Sequence, residues 1–187
     1  MDTPLKNLAV IGAGAMGSGI AALFASKGLD IVLIDPMEGA LARALQTIER
    51  QLNVYAPDNV QAAIGRIRFE PSLDAAASCD LVIEAVPENL ELKRGIFAKL
   101  DALCPAHTLF ATNTSGLSIN AIASAVARRD RFVGTHFFTP ADVIPLVEVV
   151  RNDDTSEATV AQVMATLRFA GKRPAVSYTH LTLPTKA

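Results

Sequence analysis

Short apolar runs alternate along this chain with longer stretches whose apolar positions recur every three or four residues, the pattern of strands threaded between helices. Residues 8–11, 31–34, 81–85 and 108–111 are near-continuous apolar runs, as strands covered on both faces require. Further strands are predicted over 66–69, 132–137 and 146–150. Helices are predicted over about 17–27, 38–52, 89–103 and 155–169. Gly28 and Gly171 stand where a helix C-terminus favours glycine, Pro36 closes the second strand and Pro105 stops the third helix. Leu41, Ala44, Leu45 and Ile48 are expected to share one helix face. Strand–helix alternation of this kind predicts an α/β fold, a doubly wound, mostly parallel sheet with helices on both faces. No internal repeat and no Gly/Ser linker interrupts it.

With 187 residues the chain fits one domain with a sizeable core and is short for two. Half its residues are hydrophobic and 19% are charged, which places it among globular proteins rather than disordered ones. A net charge of −2 gives no electrostatic reason to expect nucleic acid or an anionic membrane as partner. Mean hydropathy is high at +0.30, yet no apolar run approaches the roughly 20 residues of a membrane span, so buried strands and Ala-rich helices account for it. The first six residues have neither a basic stretch nor an apolar stretch of secretory type, and a cytoplasmic protein is expected. Cys79 and Cys104 have no metal-ligand spacing and are expected to be reduced; no metal is expected.

Gly12-Ala13-Gly14-Ala15-Met16-Gly17 fits G-x-G-x-x-G. Alone that pattern is weak, but here it leaves a buried strand and opens a helix. Gly12 permits the tight turn, Gly14 lets the backbone reach a pyrophosphate, and Gly17 lets helix and strand pack closely. Phosphates would then sit on the unpaired N–H groups of the helix start, where the dipole favours anions. Asp35 ends the second strand about 20 residues on, the place for an acid that accepts from both ribose hydroxyls. Its charge repels a 2′-phosphate, and no Lys or Arg follows before Arg43, so NAD is expected over NADP. A glycine turn that binds nothing, with Asp35 as a helix cap, is the plain alternative.

Three stretches reach further: 11–21 (IGAGAMGSGIA), 80–90 (DLVIEAVPENL), and a third from Asn113-Thr114-Ser115-Gly116 through Gly134-Thr135-His136-Phe137-Phe138-Thr139-Pro140 to 146–150 (LVEVV). From Asn7 to about Pro174 the chain resembles the NAD-binding, Rossmann-type domain of the L-3-hydroxyacyl-CoA dehydrogenases. The resemblance implies hydride transfer between NAD and a 3-hydroxyacyl-CoA ester, as in fatty acid β-oxidation. It assigns His136 as the base, Glu148 as its orienter and Ser115 as a hydrogen-bond partner of the reacting oxygen near the nicotinamide. It places Glu88 and Lys93 on the cofactor site and Asn113 on the nicotinamide loop. It also implies a homodimeric parent enzyme.

The residue types suit that chemistry. Oxidising a secondary alcohol removes a hydride and a proton. Imidazole titrates near working pH and can take the proton. A carboxylate on one ring nitrogen fixes the tautomer and stabilises the imidazolium. Each residue also has a bland alternative. His136 could be a satisfied buried histidine, Ser115 or Asn113 a turn residue, Glu88 an acid at a helix start and Lys93 a solvated surface lysine. His107 and His180 have no supporting context and are read as surface residues.

Two positions depart from the family pattern. Thr139 stands where the family usually has asparagine, which loses an amide contact to cofactor or substrate. After Pro174 the family continues into a helical domain, whereas residues 175–187 resemble a translated sequencing-library adapter and are set aside as a foreign tail. The expected division is therefore 1–174 as the NAD-binding domain with the helical domain missing. An NAD-binding module without turnover, or a dehydrogenase for another 3-hydroxy acid such as carnitine, remains as an alternative.

Overall fold

A computed structural model of the chain describes residues 5–177. Eight strands form one sheet, β1 (Asn7–Ile11), β2 (Asp30–Ile34), β3 (Ile67–Glu70), β4 (Leu81–Glu84), β5 (Leu109–Thr112), β6 (Phe132–Phe137), β7 (Leu146–Arg151) and β8 (Arg173–Ser177). Their order is β3-β2-β1-β4-β5-β6-β7-β8, and every neighbouring pair is parallel except β6 with β7. The helices are α1 (Ala15–Ser26), α2 (Ala40–Tyr55), α3 (Val60–Ile64), α4 (Leu90–Leu103), α5 (Ile119–Ala123) and α6 (Glu157–Phe169). The doubly wound α/β architecture expected from the alternation is the one observed.

Alternate strand residues feed two separate cores. Leu8, Val10, Leu33, Ile83 and Ala111 pack with α1, α2, α3 and α6. Ala9, Ile11, Val82 and Phe110 pack with α4 and α5. On the α4 side Phe97 meets Phe110 and Phe132 edge-on, at 5.9 and 4.6 Å between ring centres. Connections from β1 and from β4 run to opposite faces, so a crevice opens above the carboxyl ends of these two strands, where such sheets bind ligands.

Several expectations need correction. The buried stripe of α2 is Ala40, Ala44, Ile48 and Leu52, an i, i+4 row, while Leu45 is exposed. That helix starts at Ala40 because Gly39 before it adopts a left-handed φ of +72°. The short helices α3 and α5 were not anticipated; five residues carry too little periodicity to be seen. Strand β8 carries the pairing with β7 through Val150 and Ser177, past the boundary drawn at Pro174. His180 and the rest of the adapter-like string from 178 on lie outside the described residues. Among the described residues, no helix is long and apolar enough to cross a membrane. Cys79 and Cys104 are buried thiols, and burial pushes Cys79 up to about 11.

Candidate active site

A cleft of about 950 Å³ lies over the crevice, a size suited to a dinucleotide. Gly12, Ala13, Gly14, Ala15 and Met16 line one wall, and Asp35, Glu88, Asn113, Ser115, His136 and Thr139 reach it from four further segments. Two glycines are demanded by close approach. A Cβ on Gly12, at φ +100°, would stand 2.8 Å from the Ala85 carbonyl oxygen, and one on Gly17 would stand 1.8 Å from that of Gly12. Gly17 thus serves helix–strand packing and does not itself line the cleft. A Cβ on Gly14 would meet nothing within 4 Å, so this residue presents bare backbone to the cleft. Helix α1 begins without a side-chain cap and without an acid in its first turn, which leaves its N–H dipoles available to an anion.

Asp35 is held from both sides. Its Oδ2 accepts from the Ala13 N–H at 2.8 Å and its Oδ1 from the Met37 N–H at 2.9 Å. The carboxylate is therefore fixed at the rim where a ribose would lie.

At the other end, β6 and β7 form the antiparallel pair in which His136 stands directly opposite Glu148. Directly opposed residues share a face of the sheet. Here His136 Nδ1 and Glu148 Oε2 are 3.0 Å apart, with both side chains about a quarter exposed. The bond occupies Nδ1 and leaves Nε2 as the ring nitrogen able to exchange a proton. The Phe138 ring lies 4.4 Å from the imidazole, centre to centre, and limits its rotation.

Ser115 is exposed to the cleft, and its backbone N–H donates to Glu88 Oε1 at 3.1 Å. The same Glu88 oxygen accepts from the Thr114 hydroxyl and from the Gly116 N–H. Burial raises the Glu88 carboxyl, but the Thr114, Gly116 and Ser115 donors and the Lys93 charge outweigh it, and the net shift is downward. Asn113 Oδ1 accepts from the Phe137 N–H at 3.0 Å, tying this loop to the strand that carries His136. The Thr139 hydroxyl donates to Met16 Sδ at 3.1 Å, so it joins the two ends of the cleft.

Lys93 corrects an expectation. It neither lines the cleft nor sits in solvent; its side chain is fully buried. Its ammonium donates to Glu84 Oε1 at 2.7 Å and to the carbonyl oxygens of Val86 and Asn113, each at 3.3 Å. Glu84 was not anticipated. An acid in an otherwise apolar buried strand demands a partner, and that demand was the available signal. Arg43, Leu92, Ile96 and Lys99 also line the cleft unforeseen. The last three fall on one face of α4 by their spacing of four and three.

A match to the family model described as 3-hydroxyacyl-CoA dehydrogenase, NAD binding domain, runs over residues 7–180. The chain belongs to this family. It is 40% identical over 182 residues to the mitochondrial hydroxyacyl-coenzyme A dehydrogenase of Homo sapiens, covering 91% of this chain and 58% of the human protein. It is 40% identical over 174 residues to the probable 3-hydroxybutyryl-CoA dehydrogenase of Bacillus subtilis, covering 90% of this chain and 61% of the relative. The crystal structure of 3-hydroxybutyryl-CoA dehydrogenase from Escherichia coli K12 superposes with a TM-score of 0.91 at 38% identity, over 95% of this chain and 39% of that one. The chain thus spans about three-fifths of the length of the human and Bacillus relatives. Its cofactor is NAD, and the uncapped helix start, the bare Gly14 backbone and the fixed Asp35 carboxylate fit that molecule.

Proposed function

We propose that the chain carries the NAD side and the acid–base pair of a 3-hydroxyacyl-CoA dehydrogenase, with His136 as base and Glu148 as its orienter. The observation that carries this reading is the 3.0 Å contact of His136 with Glu148 at the end of a dinucleotide cleft. Bound NAD would supply the hydride acceptor. His136 Nε2 takes the hydroxyl proton, and Glu148 stabilises the resulting imidazolium. Ser115 donates a hydrogen bond to the substrate oxygen. Asp35 takes the ribose hydroxyls, and the N–H groups of Gly14 to Met16 take the pyrophosphate. Glu88, Asn113 and Thr139 line the nicotinamide half.

An acyl-CoA ester as substrate is supported by the family and by the names of both relatives. A homodimeric parent and a cytoplasmic location belong to the same proposal; the two buried thiols fit a reducing compartment. An NAD-binding module without turnover is the second reading.

The test is oxidation of NADH by the purified chain in the presence of a 3-oxoacyl-CoA. Turnover with the thioester and none with the free 3-oxo acid is the expected result. NADH binding without turnover selects the module, and turnover of the free acid alone moves the substrate to a 3-hydroxy acid such as carnitine.

A further inference from the structure

Beneath the cleft lies a group of charged and polar side chains withdrawn from solvent, Glu84, Lys93 and Thr112. The strand alternation explains how they meet. Glu84 follows Val82, and Thr112 follows Phe110, on the face covered by α4. The two stand side by side in the β4–β5 register. On α4, Lys93, Phe97 and Leu100 form the buried face. The lysine is thereby aimed at the carboxyl ends of these strands.

The contacts that leave the group run to the rim. Glu84 Oε1 accepts from the Val86 N–H at 2.7 Å, and Oε2 accepts from the Thr112 hydroxyl at 2.5 Å. The Lys93 ammonium adds the carbonyls of Val86 and Asn113 to its bond with Glu84, and stands 3.6 Å from Glu88 Oε2. One buried cation therefore holds the segment after β4 and the segment after β5 together. Asn113 passes the tie on through its side chain to Phe137, next to His136. A buried ion pair is poor evidence for stability, because desolvation cancels much of its attraction. Its value lies in what it orients.

We infer that Lys93, held by Glu84, is a positioning residue that sets the gap between Glu88, Ser115 and His136, and so prepares the nicotinamide half of the cleft without touching the cofactor. The inference rests on the NAD-binding reading above. It concerns one half of the cleft, because none of the Lys93 contacts reaches the glycine loop or Asp35.

That asymmetry provides the test. ADP-ribose carries the adenosine and pyrophosphate but lacks the nicotinamide. Binding of NADH and of ADP-ribose is measured by titration of the chain and its Lys93→Met variant. NADH affinity should fall about tenfold to a hundredfold, the scale of a lost charge-assisted hydrogen-bond set. ADP-ribose affinity should stay within about twofold, and bound NADH should emit more like the free form. The double variant Glu84→Gln/Lys93→Met should regain thermal stability, since no lone charge is left buried, yet keep the NADH defect. If Lys93→Met does not fold, Thr112→Val removes one donor from Glu84 and should show a smaller loss confined to NADH. Parallel loss of both ligands, or loss of neither, overturns the inference. A wild-type chain that binds neither ligand removes the NAD reading and this inference together. One that binds NADH no better than ADP-ribose removes this inference alone.

Discussion

The two ends of the cleft are built from different materials. At the phosphate end the working groups are backbone. Gly14 offers bare N–H and Cα, α1 offers an uncapped start, and the acid beside them, Asp35, is itself held by two N–H groups. At the hydride end the working groups are side chains in pairs, His136 with Glu148, Glu88 with Thr114, and Lys93 with Glu84. The difference suits the two tasks proposed for them. Holding a pyrophosphate needs fixed dipoles, which a helix start supplies without ionisation. Moving a proton needs a group that titrates, and such a group needs a partner to fix its tautomer and place. Gly12 and Gly17 at the first end should therefore tolerate no added Cβ, and the second end no lost functional group.

His136→Ala probes the second end and should have the largest effect. Loss of a positioned base costs about 10²- to 10⁴-fold in turnover, or roughly 3–5 kcal/mol of barrier at 1.36 kcal/mol per decade. NADH affinity should stay close to wild type, since the pyrophosphate and ribose contacts lie at the other end. Steady-state rates beside an NADH titration separate the two quantities. Equal losses in both would mean that the imidazole holds cofactor rather than a proton.

Gly17→Ala probes the first end and should act on the fold before the chemistry. The new Cβ meets a backbone oxygen at 1.8 Å, which no side-chain rotation can relieve. Overpacking costs about 1–3 kcal/mol and occasionally more, and the clash with backbone puts this case at the upper end, about 3 kcal/mol. Thermal unfolding should show it, with ADP-ribose and NADH affinities falling together. That joint fall is the mirror image of the His136→Ala result. An unchanged melting temperature would contradict the packing described for this turn.

Legibility in the sequence divides along the same line. The phosphate end is local: a strand, six residues of glycine motif and a helix are contiguous, and Asp35 follows at the end of the next strand, so spacing alone located them. His136 and Glu148 were nameable through the family resemblance, but their meeting depends on a register between β6 and β7 that composition does not reveal. Lys93 shows the limit most clearly. Its place one turn into α4 was anticipated, yet the side it faces was not. Its spacing of four and seven to Phe97 and Leu100 assigns it to the buried face, whereas Leu92, Ile96 and Lys99 face the cleft. Glu84 lay in plain view inside a buried strand, and its partner, nine residues away, could be recognised only once the helix face was known.

The smallest expected effect tests whether the loop at the hydride end is held by charge. Glu88 Oε1 gathers the Thr114 hydroxyl and two backbone N–H groups, and its carboxyl sits below the ordinary value of 4.5. A carboxyl depressed in the fold stabilises it fully above its unfolded pKa, and that contribution fades as pH falls through the folded value. Glu88→Gln removes the charge and keeps the shape. With the side chain 41% exposed, solvent screening limits the difference to under about 1 kcal/mol. Wild type should melt above the variant at neutral pH, and the gap should begin to close below about pH 4.5. A gap that stays constant into strong acid would mean that the amide holds the loop as well as the carboxylate does. The contrast between the two ends would then rest on two pairs, His136 with Glu148 and Lys93 with Glu84.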